Sequence, residues 1–447
     1  MRGLRKFWAV GVVAAALAVA ALPAAAQSSS EKPTATEVGV TATEVHIAVV
    51  ADVENSLAPA LFKGAADGVK AGAEFVNSKA GGGGVAGRKL VVDFIDSKLS
   101  ATDSRNATIQ ACQNDFAMVG TMVLFLNTVE DIVNCKDKAG AVTGLPDIAS
   151  TAVGSVEACS PMTFSVLGNQ TDCSTVTQNP QTYFGNQGEA KYLLKRYGKL
   201  SGPMLVGSDT KDSKKGGSVL ALTNQQAGIN MVPDGVIGKS GRDPQSAFTE
   251  VAVGMKQNNA NYLYSAGAVG GTLALIREAQ IQGIDTTKLV MDSASTYGNK
   301  VVADNASTFE GMHSPLQYLP LDEGKYNTNL AAFSKYMKAS GGTADQYSVY
   351  GFSAVLAFRD AVKAVVDKHG VNGLTRANLI EGIKTLTDFD AGGMLGAHSF
   401  KTGRITGCFV SVQFLKGKWV RQYPKKPGTM DCKESNSVLI KANLLGL

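Results

Sequence analysis

The sequence predicts an α/β protein with mainly parallel sheets, on three observations. Residues 44–98 read as a strand–helix–strand unit, the alternation of apolar and helical segments continues from Ala101 to Gly311, and the about 400 residues beyond the amino terminus exceed one ordinary core. In the first unit, Val45 to Val50 is a near-continuous apolar run ending at Asp52, the form of a parallel strand covered on both faces. A loop from Val53 to Pro59 follows. Phe62, Ala65, Ala66, Val69, Ala73 and Val76 then recur at helical spacing opposite Lys63, Asp67, Lys70, Glu74 and Asn77, so this helix packs on a sheet. Gly81 to Gly84 ends it, and Leu90 to Asp96 is the second strand of a right-handed βαβ unit. In open parallel sheets ligands bind beyond the carboxyl ends of the strands, which points at the 52–58 loop.

The same reasoning places helices at 103–113 and 127–138, with a strand at 116–120 between them, an extended stretch at 144–152 and a strand at 162–167. Helix 187–197, strand 203–207, helix 217–227, strand 229–237, helix 244–257, strand 261–265, helix 271–282 and strand 289–292 complete the alternation. The last third differs, with long helices at 326–339, 346–368 and 376–386 and then shorter glycine-punctuated strands over 398–423. Two lobes are expected.

Met1 to Lys6 is basic, Phe7 to Leu22 apolar, and Pro23 to Gln27 small-residue, the pattern of a signal peptide over 1–26 in an exported chain of the periplasm, cell envelope or extracellular space. An uncleaved anchor is the alternative. Residues 27–43 read as a flexible, polar leader without a core. Without Arg2, Arg5 and Lys6 the formal charge falls from +5 to +2, too small and dispersed for a nucleic-acid or anionic-membrane surface. Six cysteines in an exported chain, none at CxxC or zinc-knuckle spacing, read as disulfides. Six allow 15 connectivities. Pairing of sequence neighbours, Cys112 with Cys135, Cys159 with Cys173 and Cys408 with Cys432, is favoured.

The order "TEVHIAVVAD", "EFVNSKAGGGGVAGRKLVVDFID", "ANYLYSAG", "LVMDSAS", "FEGMHSPLQYLP" and "YSVYGFSAVLAFRDAVKAV" resembles the branched-chain amino-acid (leucine/isoleucine/valine-type) periplasmic binding proteins of ABC transporters. The resemblance implies the type I periplasmic binding protein fold: two Rossmann-like lobes, a three-segment hinge near Ser165, Leu321 and Ala397, and a ligand cleft between the lobes. Lobe 1 is then 44–165 plus 322–396, and lobe 2 is 166–321 plus 397–447. It further implies a monomer that takes a small-molecule ligand to an ABC permease in the cytoplasmic membrane.

In such a cleft, loop hydroxyls, backbone amides at helix starts and a few charged groups do the binding. The candidates on lobe 1 are Asp52, Asn55 and Ser56, the turn holding Thr121, Val123, Leu124 and Phe125, and Ser150 with Thr151, where the resemblance implies a hold on a ligand carboxylate. The bulky turn at Thr121 to Phe125 departs from the small, hydroxylated residues of the family, which points to a larger or less polar ligand, although Leu124 and Phe125 read equally well as core. On lobe 2 they are Asp209, Thr210, Tyr264, Ala266, Gly267 and Asp292, the last as partner of a ligand ammonium or as a helix cap. Tyr183, Tyr264 and Tyr297 are candidates to close over the ligand.

Gly82 to Gly87 fits GxGxxG but follows a helix and precedes a strand, the reverse of a dinucleotide site. The sequence contains no P-loop, GxSxG or HExxH, and His46, His313, His369 and His398 lack metal-ligand spacing, so no cofactor, metal or catalytic residue is expected. Capture of an amino acid, amide or small organic acid for an importer is the expectation. A sensor of the same fold feeding a kinase or chemoreceptor is the alternative, and an exported hydrolase lacks a nucleophile and base.

Overall fold

A computed structural model describes residues 31–55, 60–207, 210–239 and 243–444, with backbone only over 232–237. The expected signal peptide, Ser56 and Asp209 lie outside the described residues. From Glu44 to Ala158 the chain forms β1 (Glu44–Ala51), α1 (Lys63–Asn77), β2 (Lys89–Asp96), α2 (Ala101–Asn114), β3 (Ala117–Val119), α3 (Glu130–Val133), β4 (Asp147–Ile148) and α4 (Ser155–Ala158). The four strands make a parallel sheet in the order β2-β1-β3-β4. Side chains of β1 alternate between two cores: Val45, Ile47 and Val49 face α1, while Ala48 and Val50 join Met118, Ala107 and Ala111 on the α2 side.

The chain continues as β5 (Gln181–Asn186), α5 (Gly188–Tyr197), β6 (Ser201–Gly207), α6 (Lys211–Ala227), β7 (Asn230–Lys239), α7 (Thr249–Gln257), β8 (Tyr262–Ala266), α8 (Val269–Ile281), β9 (Val290–Ser293), α9 (Lys300–Asp304), α10 (Ala306–Phe309) and β10 (His313–Leu316). It then forms α11 (Thr328–Ala339), α12 (Gln346–His369) and α13 (Arg376–Lys384), and ends in β11 (Val410–Leu415), β12 (Lys418–Tyr423) and β13 (Ser437–Ala442). The second sheet has seven strands, β12-β11-β10-β9-β8-β6-β7, parallel from β10 to β7 and antiparallel at the β11–β12 end. Its faces are likewise divided, Leu205, Leu263 and Met291 toward α7 and α8, and Met204, Val206, Tyr262 and Tyr264 toward α5 and α6. The expected two-lobed α/β architecture is therefore present, and Lys32–Leu447 form one compact unit.

Helix α12 crosses back to cover α1 rather than extend the second sheet. Their backbones touch through a glycine seam: a Cβ at Gly68 would lie 2.1 Å from the Ser348 carbonyl oxygen, and one at Gly351 would lie 2.2 Å from that of Ala65. An aromatic chain runs from α12 toward the second sheet. Tyr350 packs on Tyr318, Tyr318 on Tyr297, and Tyr297 on Trp419, with ring centroids 5.7, 6.1 and 5.4 Å apart.

The three expected disulfides, Cys112–Cys135, Cys159–Cys173 and Cys408–Cys432, are present. Other expectations need correction. Residues 32–43 are not a coreless leader, because Glu37 is buried and accepts from the Lys138 and Arg376 amides while Val40 enters the core. The helix expected at 127–138 shrinks to α3, since Cys135 is tied to Cys112 and the chain turns back, with Thr143 and Gly144 donating to the Cys135 carbonyl. Residues 162–167 form no strand. They flank the short β4, with Phe164 and Val166 donating to Asp147 and Ala149, and the turn at Gly168 stops the pairing. No strand runs over 398–409, where only single bridges occur, while β10 and the β5–β13 pair were not anticipated.

Candidate functional site

The carboxyl end of the first sheet is a set of loops braced by two aspartates. Asp52, at the exit of β1, is fully buried, and its Oδ1 accepts from Ser97 Oγ at 2.6 Å and the Leu99 amide at 2.8 Å. Its Oδ2 accepts from the Leu124 amide at 2.8 Å. Each oxygen is thus engaged, and the side chain joins the ends of β1, β2 and β3. Asp96, at the exit of β2, accepts from the amides of Val53, Glu54 and Lys98 and so shapes the stretch leading to Asn55. These bonds make both carboxylates positioning groups for the loops above them.

Above Asp52 lies an apolar cluster. Phe62 packs on Tyr347 with centroids 5.1 Å apart, and half-buried Val53, Leu61, Leu124 and Val153 pack around Ala51, Phe62, Ala65 and Met122. Leu124 is therefore shared between core and surface, Phe125 is also half-buried, and Val123 belongs to the α2-side core. In the third turn Ser150 is buried and donates to the Gly120 carbonyl, while Thr151 is half-buried.

Beneath this turn sits a buried acid pair. Burial pushes the Asp147 carboxyl up to about 7, against a hydrogen bond from the Thr163 hydroxyl. Burial, then the nearby Asp147, raises Glu157 well above the usual carboxylate range, although its Oε2 accepts from the Val153 amide. Lys215 on α6 donates to Ser155 Oγ at 3.1 Å, and Gly154 lies against Asp212, so the start of α6 meets this turn.

On the second sheet, Thr210 caps α6, its Oγ1 accepting from the Ser213 amide. The loop after β8 is polar at its backbone: no side chain caps α8, Ser295 Oγ donates to the Gly267 carbonyl, and Ala266 is half-buried beside buried Gly267. Tyr264 is buried on the sheet face toward α5. Asp292 shares that face, where its carboxyl accepts from Tyr262 and burial pushes it up to about 8 beside Glu189, itself raised by burial and by Asp292. Tyr183 is buried on β5, and Tyr297 accepts from the Leu321 amide, so their hydroxyl or ring is held in the interior. The structure thus brings Asp52, Thr121 to Phe125, Ser150 and Thr151 to one edge, while Asp292 and Tyr264 lie in the second lobe's core.

One grouping escaped sequence reasoning. At the opposite, amino end of the first sheet His46, Asp93 and Asp115 converge, each offering a ligand atom within 4.8 Å of the others.

A family profile described as periplasmic binding protein matches residues 44–418. No curated protein sequence matches the chain. Among solved structures the chain is similar to an ABC transporter substrate-binding protein from Desulfitobacterium hafniense in complex with Leu, at 16% identity, 85% of this chain, 100% of that chain and a TM-score of 0.61. It is similar to a leucine binding protein from Thermotoga maritima, at 14% identity, 85% and 97% coverage and a TM-score of 0.63. It is equally similar to a fatty acid ABC transporter substrate-binding protein from Thermomonospora curvata, at 16% identity, 88% and 97% coverage and a TM-score of 0.63. At these identities the likeness is one of fold.

Proposed function

The chain belongs to the periplasmic binding protein family, and we propose that it captures one small molecule between its two lobes, outside the cytoplasm and without chemical change, and delivers it to an ABC importer. The lobes are taken as 44–165 plus 322–396 and 166–321 plus 397–447. Ligand touching both lobes favours closure only to the extent that it binds the closed state better.

The observation that carries the ligand class is the contrast between the two strand-end edges. The first offers the half-buried wall of Val53, Leu61, Leu124 and Val153, and the second offers the uncapped start of α8 with Ser295 beside it. A helix start without a side-chain cap has amides to give to a carboxylate or amide oxygen. The combination suits a molecule with one polar and one apolar end, an amino acid or a related amide or organic acid. Asn55, Ser56, Thr121, Phe125, Ser150, Thr151, Asp209, Thr210, Ala266 and Gly267 complete the proposed site around these groups. Asp52 acts through the Leu124 amide, while Tyr264 and Asp292 act from beneath. No helix among the described residues is long and apolar enough to cross a membrane.

A thermal-shift panel of branched-chain and aromatic amino acids, urea, short amides and aromatic carboxylates tests this. A ligand at one hundred times its Kd adds ~2.7 kcal/mol, and Leu124→Ala should reduce the shift most for ligands with bulky apolar ends. A panel without any shift, or measurable turnover of an amide or ester, overturns the proposal.

A further inference from the structure

The amino end of the first sheet holds a polar hollow that solute capture does not use. Along β1 and β2, His46 and Asp93 belong to the sheet face that packs on α2, in phase with Ala48 and Ile95. Helix α2 stops at Asn114, before it would cover them, and leaves a hollow of about 530 Å³ lined by Gly39, Thr41, Gln110 and Asn114 together with the two side chains and Asp115. His46 Nδ1 lies 2.8 Å from Asp93 Oδ2, and its Nε2 lies 3.5 Å from Glu44 Oε2. Asp115 is only 1% exposed and lines the hollow, yet its Oδ1 has no hydrogen-bond partner. The charges of His46 and Arg376 offset only in part its desolvation, which for a buried carboxylate is costly.

We propose that His46, Asp93 and Asp115 bind one divalent cation of the zinc class. The donor set is one imidazole nitrogen and two carboxylates, which suits a borderline cation and disfavours magnesium and calcium, whose ligands are oxygen alone. A tetrahedral ion with bonds of about 2.0 Å needs ligand atoms about 3.3 Å apart, and the three here, all within 4.8 Å of one another, reach that by side-chain adjustment. The ion would give the orphan Asp115 oxygen a partner and relieve the crowding of two carboxylates. The carboxyl end of the 14-residue α2 lies beside the hollow and adds its negative pole. The cation would join β1, β2 and the entry to β3 at the edge about 20 Å from the solute loops, six residues along β1 from Asp52.

The rival is a shared proton between Asp93 and Asp115 with His46 paired to Asp93, and it predicts no saturable binding. Titration calorimetry of the full protein, without a histidine tag and in metal-free buffer, decides between them with zinc, manganese, magnesium and calcium chlorides as probes. One zinc per chain is expected, with calcium and magnesium far weaker. His46→Gln and Asp115→Asn should each weaken zinc by at least about tenfold, while the exposed His369→Gln should not change it. Circular dichroism verifies that both variants fold, and the His46 imidazole resonances should shift on zinc addition in the unmodified protein. Absence of saturable binding below about 1 mM, equal binding of calcium, or zinc binding unchanged in both variants overturns the site.

Discussion

Two aspartates at opposite ends of the same sheet, Asp52 and Asp115, are 0% and 1% exposed and yet differ in kind. Three donors reach Asp52, and its oxygens hold together the loops at the exits of β1, β2 and β3. Asp115 has an oxygen with no donor and an acidic neighbour, and burial followed by Asp93 pushes its carboxyl up to about 8. Burial alone therefore does not distinguish a carboxylate that braces loops from one left without a donor. The supply of donors does.

The largest effect that would sharpen this comparison is expected at Asp52. Asp52→Asn sets an NH2 group against an N–H or O–H donor and removes charge-assisted bonds, which should cost about 2–4 kcal/mol. Urea denaturation measures it, and a loss below about 0.5 kcal/mol would show that the loops stand without the brace.

Asp147, intermediate between the two, should show its character in pH dependence. Its carboxyl is raised in the fold, so the native state keeps a proton that the unfolded chain releases, and stability falls as pH rises from about 4 to about 7. Asp147→Asn, which mimics the protonated acid, should make that decline shallower by about 1–3 kcal/mol across the range. Thermal melts from pH 4 to pH 8 on both proteins test it, and parallel curves would mean that Asp147 is ionised throughout. The smallest effect belongs to Asp115. In metal-free buffer Asp115→Asn should change stability by no more than about 1 kcal/mol, because no donor is lost and the amide can donate to Asp93. A cost as large as that of Asp52→Asn would erase the distinction between the two ends.

Much of the architecture was legible because its signals are local. Phe62 to Val76 carries its helical period within fifteen residues, although the helix ends at Asn77 with Ser78 extended, and the glycines expected to end it follow a short 3-10 turn over 79–81. The disulfides were legible for the same reason, each closing a short loop. What escaped depends on distant partners. β5 is a strand because β13, some 250 residues later, pairs with it, and residues 32–43 are ordered by Arg376 and Lys138, not by their own composition. The lobe-1 candidates do stand at a strand-end edge, but a sequence cannot tell that Asp52 spends its oxygens on Ser97, Leu99 and Leu124, or that strand alternation turns Asp292 toward Tyr262 and Glu189. His46, Asp93 and Asp115 share no spacing motif. The parallel register that pairs Ala48 with Asp93, and hence sets His46 and Asp93 on one face, is the only link between the first two.

The aromatic chain from Tyr350 to Trp419 has a practical consequence. Trp8 and Trp419 are the chain's two tryptophans, so beyond the amino-terminal segment a single indole remains, in contact with Tyr297 and Phe414. In a chain prepared without residues 1–26, its emission gives an intrinsic optical gauge where β12 meets the aromatic chain from helix α12, free of any attached dye and of interference from a second fluorophore of its kind.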